Sequence, residues 1–287
     1  MTVATPGLVE QGALRVAAVQ GWPGSALAVS PDGAWAAVAL PGRVLVARLP
    51  DLDGVREIAV SDVRSMAAVG PDRLALAPRR GLLVIDDPLG TARVGLRSRA
   101  PGRLMLSAGA DGRLAAVGER AALPRATVVA RSDLARRRDW TATIEGATAA
   151  AWLADGDLAV ATGADLVLVR GGEEHARAPR PLGEPITAVA SIPGGVALAG
   201  HGERVVLHPV LPGAARPAIE VHPGTGRALA AGSGMLVVAS RSLGERVTVH
   251  DLATGGRTAS LRGVALGAPA PGCVVATGRE GTVVLVP

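Results

Sequence analysis

Residues 28–40 read AVSPDGAWAAVAL, and this stretch decides the fold. An apolar run ends at Val29, the turn sequence SPDG follows at 30–33, and a second apolar run begins at Trp35. Ser, Pro, Asp and Gly favour tight turns, so the pattern predicts two strands joined by a short hairpin connection. A third run, Val44-Leu45-Val46, lies just beyond. The local unit is therefore a hairpin that continues into a third strand.

Runs like Val44-Leu45-Val46 recur along the whole chain. Their first residues are 44, 82, 127, 166, 205, 247 and 283. The spacing of about 40 residues is typical of a four-stranded propeller blade. Each run follows an apolar strand, and each such strand follows turn residues and a strand rich in small side chains. We label these strands a, b, c and d from the predicted axis outward, with the apolar run as strand c.

The two ends of the chain complement each other. The last repeat stops after strand c at Pro287, whereas Leu14–Val19 has the character of a strand d without its own blade. Pairing this segment beside strand c would remove a free sheet edge. We therefore predict one all-β domain over residues 1–287, a seven-bladed β-propeller of four-stranded antiparallel blades whose N-terminal strand closes the last blade. The expected blades span approximately 25–60, 64–97, 103–145, 147–183, 186–222, 226–262, and 264–287 together with 14–19.

Two fragments resemble the blades of WD-repeat (WD40-like) proteins, AVSPDGAWAAVAL at 28–40 and VTVHDLATGGRTASLRG at 247–263. In that family strand b follows a PDG turn and strand c ends in an aromatic-Asp pair, a place taken here by His250-Asp251. The resemblance covers essentially the whole chain and implies a divergent bacterial propeller. It also implies a protein–protein interaction scaffold that is a component of a bacterial multi-gene system with ATPase, signalling or conflict proteins.

Composition excludes several classes of enzyme. Lys, Asn, Phe and Tyr are absent, so all 30 basic residues are Arg, as expected from a high-G+C genome. Without Lys the chain cannot hold pyridoxal phosphate covalently or supply the Lys of a P-loop or a kinase. The 30 basic residues nearly match 25 acidic ones, which gives no indication of nucleic-acid binding. We expect a protein with no cofactor and no metal that is not an enzyme.

The remaining expectations concern location and assembly. Cys273 is the single cysteine, which excludes an intramolecular disulfide and favours a reducing compartment. The first residues lack a basic segment followed by an apolar stretch, and no window is apolar enough to span a membrane. We expect a cytoplasmic, monomeric propeller whose partners are proteins, without a nucleic-acid or membrane partner.

The b–c and d–a connections of such a propeller share one face, and arginines concentrate there. Arg pairs bidentately with carboxylate or phosphate, so this face is a candidate for docking an acidic or phosphorylated protein surface. A loop Trp is a candidate interface anchor. The candidate partner-binding residues are Trp22, Arg43, Arg79, Arg80, Arg120, Arg204, Arg246 and Arg279. The alternatives are a solvated face on which the Glu and Arg of repeated Gly-Glu-Arg sequences neutralise each other, and a Trp22 that folds back on the first blade.

The a–b turns, one basic segment and the central channel are the other candidate sites. Carboxylates in the a–b turns would suit a hard cation, but turn chemistry explains them more simply. These residues are Asp32, Asp72, Asp111 and Asp155. The basic segment 131–139 contains no aromatic residue on which a nucleic-acid base could stack, so we interpret it as a solvated loop. The alternative function is a small-ligand- or metal-binding propeller enzyme, a lactonase-like hydrolase that uses the central channel.

Overall fold

The computed structural model describes residues 14–21, 23–79, 81–98, 104–109, 112–119, 126–133, 138–163, 165–202, 204–209, 219–220, 228–240, 245–264, 266–279 and 281–287. Side chains within strands are described except those of residues 15, 19, 96, 98, 119, 126–133, 138–141, 143, 204 and 220. Regular structure in these ranges is β-strand, and they contain no α-helix. Within the same ranges, no helix is long and apolar enough to cross a bilayer.

The strands follow one another with short connections. In chain order they are β1 (Arg15–Gln20), β2 (Ala26–Val29), β3 (Trp35–Leu40), β4 (Arg43–Arg48), β5 (Asp53–Ile58), β6 (Ser65–Ala68), β7 (Arg73–Ala77), β8 (Leu82–Asp86), β9 (Arg93–Ser98), β10 (Leu104–Ala108), β11 (Leu114–Glu119), β12 (Ala126–Asp133), β13 (Arg138–Glu145), β14 (Ala147–Trp152), β15 (Leu158–Thr162), β16 (Asp165–Arg170), β17 (Glu173–Ala178), β18 (Ala188–Ile192), β19 (Gly195–Ala199), β20 (Arg204–Pro209), β21 (Ile219–Glu220), β22 (Ala228–Gly232), β23 (Met235–Ser240), β24 (Arg246–Asp251), β25 (Arg257–Arg262), β26 (Leu266–Ala270), β27 (Cys273–Thr277) and β28 (Thr282–Val286).

Four consecutive strands make each of six antiparallel sheets. These sheets are β2-β3-β4-β5, β6-β7-β8-β9, β10-β11-β12-β13, β14-β15-β16-β17, β18-β19-β20-β21 and β22-β23-β24-β25. A further four-stranded sheet has the order β1-β28-β27-β26 and so contains both ends of the chain. In it Val16 lies opposite Leu285 and Gln20 opposite Thr282, with one irregularity between Val16 and Ala18.

The sheets pack face to face around an axis. The first strand of each sheet contacts that of the next in the order β2, β6, β10, β14, β18, β22 and β26, and β26 contacts β2 again. Apolar side chains fill the spaces between sheets. One cluster joins Val44 and Val46 to Leu74 and Leu76, and another joins Val247 to Val283. An all-β propeller of small antiparallel sheets is therefore confirmed.

Hydrogen bonds between turns add to this packing. Trp35, only 2% exposed, donates from Nε1 to the carbonyl oxygen of Pro71 at 2.6 Å, so the first sheet reaches the a–b turn of the second. Arg113 repeats the contact two sheets further on, where Nη1 donates to the carbonyl oxygen of Gly156 at 2.6 Å. Its guanidinium carbon also lies 5.3 Å from the ring centre of Trp152, a cation–π distance. Trp35 and Trp152 are thus buried packing residues.

The substitution Trp35→Phe tests the hydrogen bond between the first two sheets. It retains an aromatic ring but leaves the Pro71 carbonyl without its indole donor. We expect a loss of about 1–2 kcal/mol in the free energy of unfolding, measured by urea denaturation. Trp35→Ala, which also removes the ring, should cost about 3–5 kcal/mol. An unchanged free energy of unfolding for Trp35→Phe would show that the indole N–H contributes nothing separate from packing.

Deletion of residues 1–20 tests the pairing of β1 with β28. The deletion leaves the edge of β28 open and uncovers part of a cluster that contains Val283 and Leu285. We expect a loss of about 3 kcal/mol or more in unfolding free energy and increased aggregation. Deletion of residues 1–13, which keeps the strand, is the matched control. A similar stability for both deletions would contradict the structural importance of this pairing.

Candidate functional site

Alternation of antiparallel strands gives the propeller two different faces. The d–a and b–c connections lie together on one of them, which we call the loop face. Its described parts are 21, 23–25, 41–42, 59–64, 78–79, 81, 146, 163, 179–187, 200–202, 245, 263–264, 278–279 and 281. The a–b and c–d connections lie on the opposite face, which we call the turn face.

The structure places four of the predicted partner-binding arginines on the loop face with their side chains described. Arg79 and Arg279 lie in b–c connections, and Arg43 and Arg246 begin strands β4 and β24. Arg43, Arg79 and Arg279 are exposed, and Arg246 is partly buried. Three further candidates, Trp22, Arg80 and Arg120, lie outside the described residues, as does the side chain of Arg204 at the start of β20.

Two of these arginines have acidic partners. Arg43 Nη1 lies 3.1 Å from Glu57 Oε2, and both side chains are about half exposed, at 48% and 54%. Arg279 Nε lies 3.3 Å from Glu245 Oε1, but its side chain is 91% exposed. Ion pairs this open to water contribute little stability and exchange readily. Both arginines therefore have neutralising partners, but neither pair joins the neighbouring Glu and Arg of a Gly-Glu-Arg sequence, and both guanidinium groups stay accessible.

The sequence interpretation missed charged residues of the d–a connections. Asp62 and Arg64 precede β6 and are exposed. Glu184 precedes β18, and its Oε1 accepts a hydrogen bond from the backbone N–H of Gly202 at 2.8 Å. Glu184 thereby fixes one b–c connection against a d–a connection. The topology itself could have revealed these residues, because d–a and b–c connections share a face in any four-stranded blade.

Hydroxyl groups at the entry to the inner strands repeat from blade to blade. Thr148 and Thr187 donate to the carbonyl oxygens of Ala161 and Ala199 at 3.3 and 3.2 Å. Ser25 donates to the Ala39 carbonyl at 3.3 Å in the same manner. Each bond ties the end of a d–a connection to the end of strand b. These hydrogen bonds therefore hold in place the points where the d–a connections end and the b–c connections begin.

The central channel has a different character. Its cavity, of about 370 Å³, is lined from β10, β14, β18 and β22 mainly by alanine side chains. Hydroxyl groups come from Ser107, Thr187 and Ser191, and Met105 is 41% exposed there. Alkyl and hydroxyl groups dominate this lining. Among the described residues of the whole chain, no group of three or more His, Cys, Asp or Glu side chains has the arrangement of a metal site.

On the turn face, aspartates of the a–b turns make the local hydrogen bonds expected of turn residues. Asp32 Oδ1 accepts from the N–H of Ala34, and Asp155 Oδ1 from the N–H of Asp157, both at 3.1 Å. These contacts confirm turn chemistry for Asp32 and Asp155. Asp111 lies outside the described residues.

One carboxylate on this face is buried. The side chain of Asp157 is 3% exposed and accepts hydrogen bonds from Arg170 at 2.7 and 2.8 Å and contacts His175 Nε2 at 2.7 Å. Burial alone would raise the pKa of Asp157, but the hydrogen bonds from Arg170 and His175 outweigh burial and hold this pKa below its usual 3.8. Arg73 and Asp86 occupy the corresponding ends of β7 and β8 with the charges reversed, at 3.0 Å. The ion pair therefore joins strands b and c at their turn-face ends.

His250 and Asp251, which take the place of the aromatic-Asp pair, lie at the end of β24. His250 is 2% exposed, its Nε2 lies 3.0 Å from Thr248 Oγ1, and burial lowers its pKa. Asp251 Oδ1 accepts from the N–H and the hydroxyl of Thr254 at 2.7 and 2.9 Å, and these bonds lower its pKa. This pair stabilises the c–d turn.

Comparison with known proteins supports the same architecture. No family model and no curated protein sequence matches the chain. Solved structures do match. A chain of the mitotic checkpoint complex has a TM-score of 0.73 at 14% identity, covering 100% of this chain and 98% of that one. The β-propeller domain of Cps50 (Swd1) from Myceliophteria thermophila has a TM-score of 0.72 at 12% identity, covering 96% and 100%. The chain thus has the fold of a β-propeller.

Asp157→Asn tests the buried carboxylate. Because the pKa of Asp157 is lower in the folded protein than the unfolded value of about 3.9, its ionisation stabilises the fold above that pH. This contribution is lost as the pH falls through the folded pKa. We expect the substitution to cost about 1.5–3 kcal/mol at pH 7, and the difference from wild type to shrink toward pH 2.

Urea denaturation from pH 7 to pH 2 measures both effects. Asp155→Asn is the matched control, since Asn also accepts hydrogen bonds in such turns. A difference between Asp157→Asn and wild type that stays constant with pH would contradict the assigned pKa.

Proposed function

We propose that this chain is a non-enzymatic interaction platform that docks partner proteins through the arginines of its loop face. The observation that carries the proposal is the exposure of Arg43, Arg79 and Arg279 on connections that strands hold in place. Function commonly resides on loops held by a rigid scaffold. Arg also binds carboxylates with defined geometry, which favours specific protein contacts.

The electrostatics of the described loops agree with this proposal. Arg64 and Arg79 are exposed, and no acidic side chain of the described residues lies within ion-pair distance of either. Arg279 keeps its guanidinium open to solvent although it contacts Glu245. An acidic partner could therefore bind these groups without first breaking a buried ion pair. One structural neighbour also comes from a complex, the mitotic checkpoint complex.

We further propose that the sheet β1-β28-β27-β26 is the seventh blade of a closed ring, with the N-terminal strand as its outer strand. The contact of β26 with both β22 and β2 supports this assignment. The setting we propose is a monomeric, cytoplasmic protein in a bacterial multi-gene system with ATPase, signalling or conflict components. Its partners are proteins rather than nucleic acids or membranes.

The alternative, a lactonase-like hydrolase that uses the central channel, gains no support from the described lining. Hard divalent cations prefer carboxylate and other oxygen ligands. The channel lining described above presents mainly alkyl groups and three hydroxyls. We therefore retain the loop face, and not the channel, as the proposed site.

Capture of partners from nuclease-treated native lysate tests the proposal. A variant with Arg79→Glu, Arg246→Glu and Arg279→Glu reverses three charges of the loop face. We expect it to lose partners that the wild type retains, because like charges then face an acidic partner. The control carries Arg48→Glu, Arg93→Glu and Arg97→Glu, which alter exposed arginines outside the loop-face connections.

Quantitative mass spectrometry compares the proteins captured by the three forms. Loss of the same partners in both variants would indicate a general effect of charge and contradict docking at the loop face. Failure of the wild type to retain any protein at low salt would contradict the platform itself.

A further inference from the structure

A groove crosses the loop face beside the joint between the two ends of the chain. Its volume is about 680 Å³, within the usual range of ligand sites. Two d–a connections, which precede β2 and β6, meet three b–c connections there. The lining residues are Pro23, Gly24, Ser25, Leu40, Pro41, Asp62, Val63, Arg64, Glu245, Gly278 and Arg279.

The lower part of the groove is apolar and fixed. Leu40 and Val63 are only 9% and 5% exposed, and the rings of Pro23 and Pro41 add apolar surface. Gly24 lies so close to Val38 and Thr277 that a Cβ atom at this position would overlap both side chains. The d–a connection before β2 can therefore lie flat against the blades only with Gly at this position. This close approach shapes one wall of the groove.

The upper part of the groove is charged and open. Arg64 is exposed, and within the described ranges no carboxylate lies at ion-pair distance from it. Arg279 is 91% exposed and contacts Glu245, which is 22% exposed, at 3.3 Å. Exposed Asp62 is the other acidic group of the lining. The lining thus offers two accessible guanidinium groups, one of them free and one held only by an exchangeable partner.

We propose that this groove binds an extended acidic segment of a partner protein, in which an apolar side chain lies between carboxylates. The apolar side chain packs over Leu40 and Val63, and the carboxylates pair with Arg64 and Arg279. This inference rests on the proposed function, and it adds the docking position, the chemistry of the bound segment and Arg64 as an anchor. Glu245 and Asp62 favour carboxylates over phosphates, because a phosphate near these groups brings a second negative charge.

Charge complementarity also sets the conditions of binding. Pairs formed between exposed groups weaken as salt screens them, so affinity should fall when the ionic strength rises. The apolar contact is screened much less and should remain. A segment with carboxylates alone should therefore bind more weakly than one that also carries a central apolar residue.

Fluorescence anisotropy tests the groove with a labelled peptide that alternates glutamate with leucine. We expect wild type to bind it, and Arg64→Glu to raise its Kd about tenfold, which corresponds to about 1.4 kcal/mol. Arg93→Glu, at an exposed arginine of β9, should leave the Kd unchanged. Two further peptides replace glutamate by lysine or by phosphoserine, and both should bind more weakly than the glutamate peptide.

Several results would overturn the groove assignment. One is equal binding to wild type and Arg64→Glu while a double variant with Arg79→Glu and Arg246→Glu, at residues outside the lining, loses the peptide. That result would leave the loop face as the site without the groove. Capture of a partner by wild type that binds no glutamate peptide would have the same consequence. Tighter binding of the phosphoserine peptide would assign the surface to phosphorylated segments instead. If wild type neither binds the glutamate peptide nor captures a partner, the proposed function is overturned as well.

Arg64→Ala, together with circular dichroism, guards against a variant that fails to fold. A native β spectrum and a smaller loss of affinity than that of Arg64→Glu are expected, because the neutral side chain removes attraction without adding repulsion. Equal affinity of Arg64→Ala and wild type would contradict the role of Arg64 as an anchor.

Discussion

Hydrogen bonding between β1 and β28 joins the two ends of the chain, and the burial of the sheets depends on it. The described sheets pack against their neighbours through buried apolar side chains. Val283 and Leu285 illustrate this packing, since they lie at 0% and 1% exposure within a cluster that also contains Leu14. An open row of sheets would leave two faces and an unpaired strand edge in water. The closed ring that we propose would remove both problems.

Strands form the packed core and connections carry the exposed charged groups, which explains how a propeller can present a binding face. The interiors of the inner strands are mainly apolar, whereas charged groups lie at strand ends, in connections and along outer strands such as β5 and β17. Buried polar contacts such as Asp157 with Arg170, and Trp35 with Pro71, fix the turn face. Hydrogen bonds of Thr187 and Glu184 hold the connections of the loop face where they join the strands. Substitution of the exposed arginines should therefore cost the core little stability.

Much of the frame could be predicted from the sequence, because strands b and c are buried and follow clear turn residues. The apolar runs that follow turn residues predict strands at Trp35–Leu40 and Arg73–Ala77, and β3 and β7 have these bounds. The sequence also predicts the outer strand Arg257–Arg262, which agrees with β25. It predicts another outer strand at Arg56–Val60, whereas the structure has β5 at Asp53–Ile58, because an exposed edge strand has a weak apolar pattern. The groove could not be predicted, because Pro23, Arg64 and Arg279 meet there from distant parts of the chain. The ion pair between Arg279 and Glu245 could not be predicted either, because the two residues belong to connections of two different sheets.

Hydrogen–deuterium exchange of the chain, alone and bound to a partner captured from lysate, tests the central claim most directly. If partners dock at the loop face, protection on binding is confined to the d–a and b–c connections and is strongest in 59–64 and 278–281. Protection of the a–b and c–d turns would place the partner on the turn face. Protection confined to the channel-lining strands β10, β14, β18 and β22 would point to a channel ligand, and either pattern would contradict docking at the loop face.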